Sequence, residues 1–479
     1  MRQTTRWLSA AERDLLVDSA FALLEEVGLG LKGSASLGAL ADAGAAVDEA
    51  TSIVRFPQDL ARATIAACPR SFTLGAAVEE LDVTLAEGAA SRFCPGGCGA
   101  FVLDDETGER RPSTLADLRR GVAVLDELPE VDVLWTPVSA TDLPLEGREV
   151  AELGTVVLET RKHVVLVESP SDAAVLRRLA AALAGDLERF AARPRFSTLF
   201  TVASPLRIEG RLLDIHAQAA AFGSPVLVYS VTLSGATAPV TPAGTVAQTL
   251  AEVLGGGVAI ALLAPGARVV PGPSPTSLDM HSGQACYASP EAAVMAAACV
   301  EVLHHLGLPV SAPGMATEAK HLGVQAGFEK GLKGLTVVAA GADLLSGGIG
   351  MIGTSNTLSL PQIVVDGEIA ARIRRMTGHF EISAETVLAD RVAAVGVGGN
   401  FLGEPETRRR IRAGEHLRPV VSDRQAYETW RAAGRTELDL ARDRVRDLLE
   451  QHECRGPWAD ERTAARVREI CGTAADGTA

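Results

Sequence analysis

The feature that most constrains this chain is a regular alternation of short apolar runs with helical patterns, from near Phe93 to near Arg372. Seven runs read as strands: VDVLWTPVS, HVVLVES, FSTLFTVASPL, PVLVYSVTL, ARVVPGPSP, LPVSAPGM and ADLLSGG. Helical stretches such as LEGREVAELGTVVLETR, IEGRLLDIHAQAAAFG and SPEAAVMAAACVEVLHHLG lie between them. The runs recur about every 30 to 40 residues, the size of one βα unit. An eighth unit, near Phe93–Leu103, leads into TLADLRRGVAVLDEL. About eight such units point to an α/β protein of the (β/α)8 TIM barrel type rather than an open doubly wound sheet.

The flanks read differently. ERDLLVDSAFALLEEVG places Leu15, Leu16, Ala20, Leu23, Leu24 and Val27 on one helical face and stops at Gly28. The expected organisation is a helical N-terminal extension over residues 1–90, a barrel over 91–380, and a C-terminal helical segment over 381–479 packed on the barrel.

Bulk properties narrow the function. A formal charge of −15 argues against nucleic acid as a partner, since phosphate contacts need clustered Lys and Arg. The start, MRQTTRWLSAAERDLL, lacks the apolar core of a signal peptide, and no apolar run reads as a membrane span; the longest, GGGVAIALLAPG, is short. Seven scattered cysteines form no disulfide framework and suit a reducing, cytoplasmic setting. G-x-x-x-x-G-K-[ST], G-x-S-x-G and H-E-x-x-H are all absent, which weighs against the classes those motifs mark.

In a βα barrel, chemistry sits where strands end. Residues at those ends here include Trp135, Thr136, Glu168, Ser169, Ser204, Tyr229, Ser274, Glu318 and Ser346. Thr241 with Pro242 reads as a capped helix start whose free N–H groups suit either an anion or plain structural capping. Asp279 and His281 stand two residues apart in one loop, with no further ligands to complete a metal set. Cys94 and Cys98, spaced C-x3-C without a second pair, read as packed thiols. Glu318 and Gln325 flank the entry to a helix, and a carboxylate there suits a cationic substrate.

The segment AGADLLSGGIGMIGTSNTLS matches G-x-G-x-x-G at Gly348, Gly350 and Gly353. A dinucleotide fingerprint also needs a helix opening on the glycines and an acidic residue about 20 positions on. Pro361 interrupts an immediate helix and Asp366 comes too early, so the match reads as coincidence. The glycines are expected to leave open space at the barrel mouth.

Several segments, LLEEVGLGL, VRFPQDLARATIAACPRSFTL, GATAPVTPAGTVAQTLAEVLGG, QAGFEKGLKG, VVDGEI and GVGGNFL, resemble the trimethylamine methyltransferase family from about Ser9 to His452. That resemblance implies a (β/α)8 barrel that moves a methyl group from an amine to the Co(I) of a separate corrinoid (cobalamin) protein. No cofactor is then bound permanently. Family members specific for trimethylamine carry pyrrolysine in the segment matching Ser346–Ser355, where this chain has only standard residues. It therefore resembles the non-pyrrolysine branch, whose substrates are quaternary amines such as glycine betaine. The implied substrate-binding set comprises the strand aromatics Trp135, Phe200 and Tyr229, charge partners Asp279 and Glu318, and His281 and Gln325. Ser346, Gly348 and Met351 complete it at the mouth. A homo-oligomer is also expected. Two positions depart from the family pattern: Gly323 replaces an Asp before Gln325, and Glu406 replaces a His before Thr407. A non-catalytic amine-binding protein of the same fold, or a methyltransferase with another acceptor such as a folate, are the alternatives.

Overall fold

The computed structural model describes residues 4–167 and 172–472. Eight parallel strands follow one another in chain order: β1 (Arg92–Phe93), β2 (Val133–Trp135), β3 (His163–Leu166), β4 (Phe196–Val202), β5 (Val226–Ser234), β6 (Val269–Asp279), β7 (Ser311–Pro313) and β8 (Leu344–Ser346). Each is followed by a helix: α1 (Leu115–Glu127), α2 (Arg148–Glu159), α3 (Ala173–Ala184), α4 (Gly210–Ala221), α5 (Pro242–Leu263), α6 (Pro290–His305), α7 (Val324–Ala340) and α8 (Leu360–Thr377).

The strands form a curled sheet in two hydrogen-bonded arcs. One runs β2-β3-β4-β5-β6 and the other β7-β8-β1, all in parallel register. At one seam β6 packs against β7 without a ladder. At the other, the Asp132 N–H donates to the Phe93 carbonyl at 2.8 Å, and the Phe93 N–H donates to the Asp132 carboxylate at 2.7 Å. The eight expected units are thus present and curl as expected, but the ladder is not continuous around them.

Strand residues alternate between two apolar surroundings, as a sheet covered on both faces requires. Val133, Trp135, Val165, Leu199, Leu227, Tyr229, Val270 and Leu344 share an inner cluster, whereas Phe196, Phe200, Val202, Val226 and Val228 pack outward among the helices. Thr241 caps α5 by accepting from the Gly244 N–H, with Pro242 in the first turn, and Ser289 caps α6 in the same way. α5 is long and apolar enough to cross a membrane, which the sequence reading missed by stopping at its glycines; most of it is buried inside the fold.

The N-terminal region is not purely helical. It holds helices at Ala10–Glu26 and Gln58–Ala67, both packed on α5, and a small antiparallel sheet of strands 29–30, 53–55 and 46–48. A hairpin, Phe72–Leu74 with Val83–Leu85, places Phe72, Leu74, Val83 and Leu85 in the inner cluster. The Ala77 N–H reaches the Arg161 carbonyl just before β3, so the hairpin stoppers the amino end of the strands. Strands of two or three residues carry no readable period, which explains why the sequence suggested helices alone.

After α8 the chain leaves the body. From residue 378 to 436 the only buried residue is Val421. It returns as α9 (Glu437–Arg455), packed on α1 and α8, and α10 (Glu461–Cys471), packed on α2 and α3. α9 is bolted down by ionic contacts: Arg455 reaches Asp126 at 3.0 Å and Glu127 at 2.7 Å, and Arg161 reaches the same pair at 2.9 and 3.1 Å.

Candidate functional site

Among the described residues, the inner face opens towards solvent at the carboxyl ends of the strands. Leu199 faces inward, so by alternation Thr201 does too, and it is exposed within an otherwise buried strand. Val167 packs against the inner cluster and is half-buried, as is Val231, which shares the inward parity of Leu227 and Tyr229. A lumen therefore opens upward, and two aromatic rings form its floor.

Those rings are Trp135 at the end of β2 and Tyr229 in the middle of β5. They meet edge to face with centroids 5.5 Å apart and planes at 86°. β2 and β5 are not neighbours, so the contact spans the sheet's concavity. The Tyr229 ring has room because Gly272 stands opposite it in β6, where a Cβ would come within 2.2 Å of the ring. The Tyr229 hydroxyl meets Ser311 Oγ at 2.9 Å and also Ser346 Oγ, and the two serines are 3.0 Å apart. Burial pushes the phenol well above its ordinary pKa, so it remains a neutral donor. Among the described residues, Trp135 Nε1 is buried without a hydrogen-bond partner. Among the described residues, no charged side chain bonds to this group of hydroxyls and rings.

Three of the expected site residues, Trp135, Tyr229 and Ser346, are thereby brought together. Ser311 joins them and was missed; its only signal was a small polar residue inside an apolar strand. Phe200 is a correction: it lies on the outer face, its ring stacked on His216 of α4 at 5.1 Å, and cannot reach the lumen. Asp279 and His281 are also displaced. β6 runs on into a hairpin with Gln284–Cys286, and Asp279 accepts from the His281 N–H at 2.8 Å and the Ser282 hydroxyl at 2.7 Å. Both residues are exposed, and Asp279 is occupied in closing the turn. Glu168 and Ser169 lie outside the described residues.

Glu318 sits in the loop after β7, half-buried, and accepts from the Ala288 N–H at 3.1 Å. Burial and the neighbouring Glu329 raise its pKa. It ties two loops of the rim together. Gln325 is exposed on the first turn of α7, where its amide donates to Glu329 at 2.8 Å. Gly323, the departure from the family pattern, is exposed beside it, and Glu406, the other departure, lies outside the site between Arg409 and Arg410.

The glycine-rich segment overturns one expectation and keeps another. It does not leave open space. Gly348 has φ +104°, and a Cβ there would lie 2.0 Å from the Met315 carbonyl; the Met315 N–H donates to Gly347 at 3.1 Å. Gly96 packs as closely on Gly347, and Met351, wholly buried, sits against Gly97 and Gly99. Gly348 and Met351 are thus packing elements of a tightly layered rim rather than lining residues. Small residues here let three loops pass within backbone contact. The nucleotide fingerprint is absent as expected, since a hairpin, Met351–Ile352 with Thr357–Leu358, follows the glycines. Pro361 does not break a helix but stands in the first turn of α8, capped by Ser359.

Below this segment lies a buried ion pair that sequence reasoning did not identify. Lys330 Nζ is 2.7 Å from Asp366 and donates to the Gly348 carbonyl at 2.6 Å. Asp366 accepts from the Gly350 N–H and from Gln362, both at 2.7 Å. Both side chains are wholly buried. The pair therefore fastens α7 and α8 to the glycine-rich loop. A lysine and an aspartate on the apolar faces of two helices were the available signal.

Comparison with known proteins agrees with this geometry. The trimethylamine methyltransferase (MTTB) family pattern matches residues 2–470. The chain is 31% identical over 416 residues to the trimethylamine methyltransferase MttB of Methanosarcina barkeri, covering 86% of this chain and 83% of that one. It is 30% identical over 454 residues to MttB of Desulfitobacterium hafniense, covering 94% and 90%. A glycine betaine methyltransferase of Desulfitobacterium hafniense is 25% identical over 415 residues, covering 86% of each chain. Among solved structures, the monomethylamine methyltransferase MtmB of Methanosarcina barkeri superposes with a TM-score of 0.54 at 13% identity, covering 93% of this chain and 88% of that one. That likeness concerns the fold. The chain belongs to the trimethylamine methyltransferase family and is a methyltransferase.

Proposed function

We propose that the protein transfers a methyl group from a quaternary amine of the glycine betaine type to the Co(I) of a separate corrinoid protein. The observation that carries this reading is the floor of the lumen, where Trp135 and Tyr229 offer ring faces and edges and, among the described residues, no acid or base is bonded to them. Aromatic faces attract a cation through the ring quadrupole. A quaternary ammonium needs no proton supplied to its leaving group: the C–N bond breaks with its electron pair on nitrogen, and a neutral tertiary amine departs. The site then has chiefly to hold the C–N bond in line and exclude water. An unreactive, high-pKa phenol and neutral serines suit that task better than acid–base catalysis.

The absence of pyrrolysine supports the same choice. The stretch Ser346–Ser355 is built of standard residues that pack against neighbouring loops, with no electrophilic side chain among them. Thr201 and the Tyr229–Ser311–Ser346 hydroxyls would orient the polar end of such a substrate. The test is incubation of the purified protein with a Co(I) corrinoid protein and a panel of betaines, with the cobalt spectrum followed in time. Conversion to methyl-cobalt with at least one betaine, and none with trimethylamine, is expected. Calorimetric binding of a betaine with no methyl-cobalt formed would contradict it and favour a non-catalytic binding role.

A further inference from the structure

We infer that residues 379–434 form an exchange arm that packs on the outer face of α7 in a second copy of this chain. The arm contains the short helices 384–387, 389–395, 405–412 and 427–433, yet none of its large apolar side chains other than Val421 is buried. Phe380 is 63% exposed, Ile382 68%, Val397 110%, Leu402 87% and Tyr427 64%. A segment of this composition is too apolar to be a solvated linker, and it has no core of its own. Its stem is nonetheless fixed to the body: the Glu368 carboxylate of α8 accepts from the N–H groups of Val420, Val421 and Ser422, and Arg375 donates to the Glu415 carbonyl at 2.7 Å. The arm is therefore held out with its apolar side chains uncovered.

A second uncovered surface lies on the same chain. Val324, Phe328 and Leu332 follow each other at i, i+4 and i+8 on α7, 86%, 52% and 65% exposed. They make an apolar ridge on a helix that should present polar residues outward. Beside the ridge run Gly327 and Gly331, around which no other part of the chain comes within 4 Å. The ridge and the shallow strip beside it fit an apolar segment laid along the helix.

Two observations name a second copy as the occupant. Both uncovered surfaces belong to one chain and are rooted in neighbouring helices, α7 and α8, so an exchange between two copies covers all of them at once. The exposed apolar side chains of the arm amount to roughly 1,000 Å², about what one partner contributes to a stable interface.

The inference is independent of the substrate. It is tested by sedimentation velocity on the full chain at low micromolar concentration. The wild type is expected as a dimer or a higher closed assembly. Phe328→Glu with Leu332→Glu, and separately Val397→Asp with Leu402→Asp, are each expected to give monomer while keeping the far-ultraviolet circular dichroism and the thermal midpoint of the body. Mixing Leu332→Cys copies with differently tagged Leu402→Cys copies and adding a short bis-maleimide is expected to join the two tags. A monomeric wild type, oligomers that survive both charged pairs, or cross-links confined within single copies would each overturn it. An assembly that forms only when a corrinoid protein is added would assign the arm to that partner instead and equally overturn it.

Discussion

Trp135 and Tyr229 meet edge to face across the concavity of the sheet, 5.5 Å between centroids, although three strand-to-strand steps separate β2 from β5. Neither ring could take this position from an adjacent strand. The pair sets the depth of the lumen and gives it a floor that is aromatic and uncharged.

This relationship predicts a split between stability and affinity at Trp135. Among the described residues Trp135 Nε1 is a buried donor without a partner, a cost of about 1–3 kcal/mol in the folded state. Trp135→Phe removes that donor and keeps a ring. The thermal midpoint should stay within a few degrees of wild type, while the Kd for a bound betaine rises about 3- to 30-fold because phenylalanine is the weaker cation partner. Trp135→Ala should lose both, with about 3–5 kcal/mol of stability. Paired calorimetry and thermal melts check this, and a Phe variant that binds betaine unchanged would remove Trp135 from the site.

The Lys330–Asp366 pair predicts a marked asymmetry. Asp366→Asn leaves Lys330 charged, buried and short of its partner, and should cost about 3–5 kcal/mol. Replacing both, Lys330→Met with Asp366→Leu, should recover part of the loss in urea unfolding. In the single variant, hydrogen exchange at Gly348 and Gly350 should accelerate well beyond the global change, because those two backbone groups bond to the pair.

The glycine at 348 is required by space as well as by φ. Gly348→Ala places a methyl group 2.0 Å from the Met315 carbonyl with φ at +104°. The expected result is a destabilisation of about 1–3 kcal/mol or more, together with loss of methyl transfer as the rim loops separate. Unchanged activity in a folded Gly348→Ala protein would show that rim packing is dispensable.

Acid should weaken the arm's anchorage at Glu368. Burial pushes the Glu368 carboxyl up, but hydrogen bonds from Ser422, Val421 and Arg372 overrule it and hold the folded pKa at about 2, below the ordinary 4.5. A lowered carboxyl pKa stabilises the folded state fully above the ordinary value and progressively less as pH falls towards the folded one. The anchoring should therefore weaken between about pH 4.5 and pH 2. Limited proteolysis near residues 415–425 should rise through that window, and Glu368→Gln should be cleaved at neutral pH with little further change on acidification.

Much of the barrel was legible because strands covered on both faces read as continuous apolar runs bounded by turns. β3, β4, β5 and β6 all fall on quoted runs. The same property hid the site. With both faces apolar, the sequence carries no phase, so Phe200 and Tyr229 looked equivalent although one faces the helices and the other the lumen. Asp279 and His281 were misplaced because β6 continues past its expected end into a hairpin. The N-terminal hairpin that closes the lower end has strands too short to show a period. Met351 and Gly348 illustrate a further limit: a glycine-rich stretch shows that something approaches closely, not whether it is substrate or backbone.

The most direct measurement of the central claim follows one labelled methyl group. Glycine betaine with deuterated N-methyl groups is mixed with the protein and a Co(I) corrinoid protein, and both products are analysed. The account predicts one deuterated methyl on cobalt for each dimethylglycine formed, at a rate that depends on this protein and falls in Trp135→Ala. Betaine that binds the protein yet keeps all three labelled methyl groups in the presence of Co(I) would contradict it.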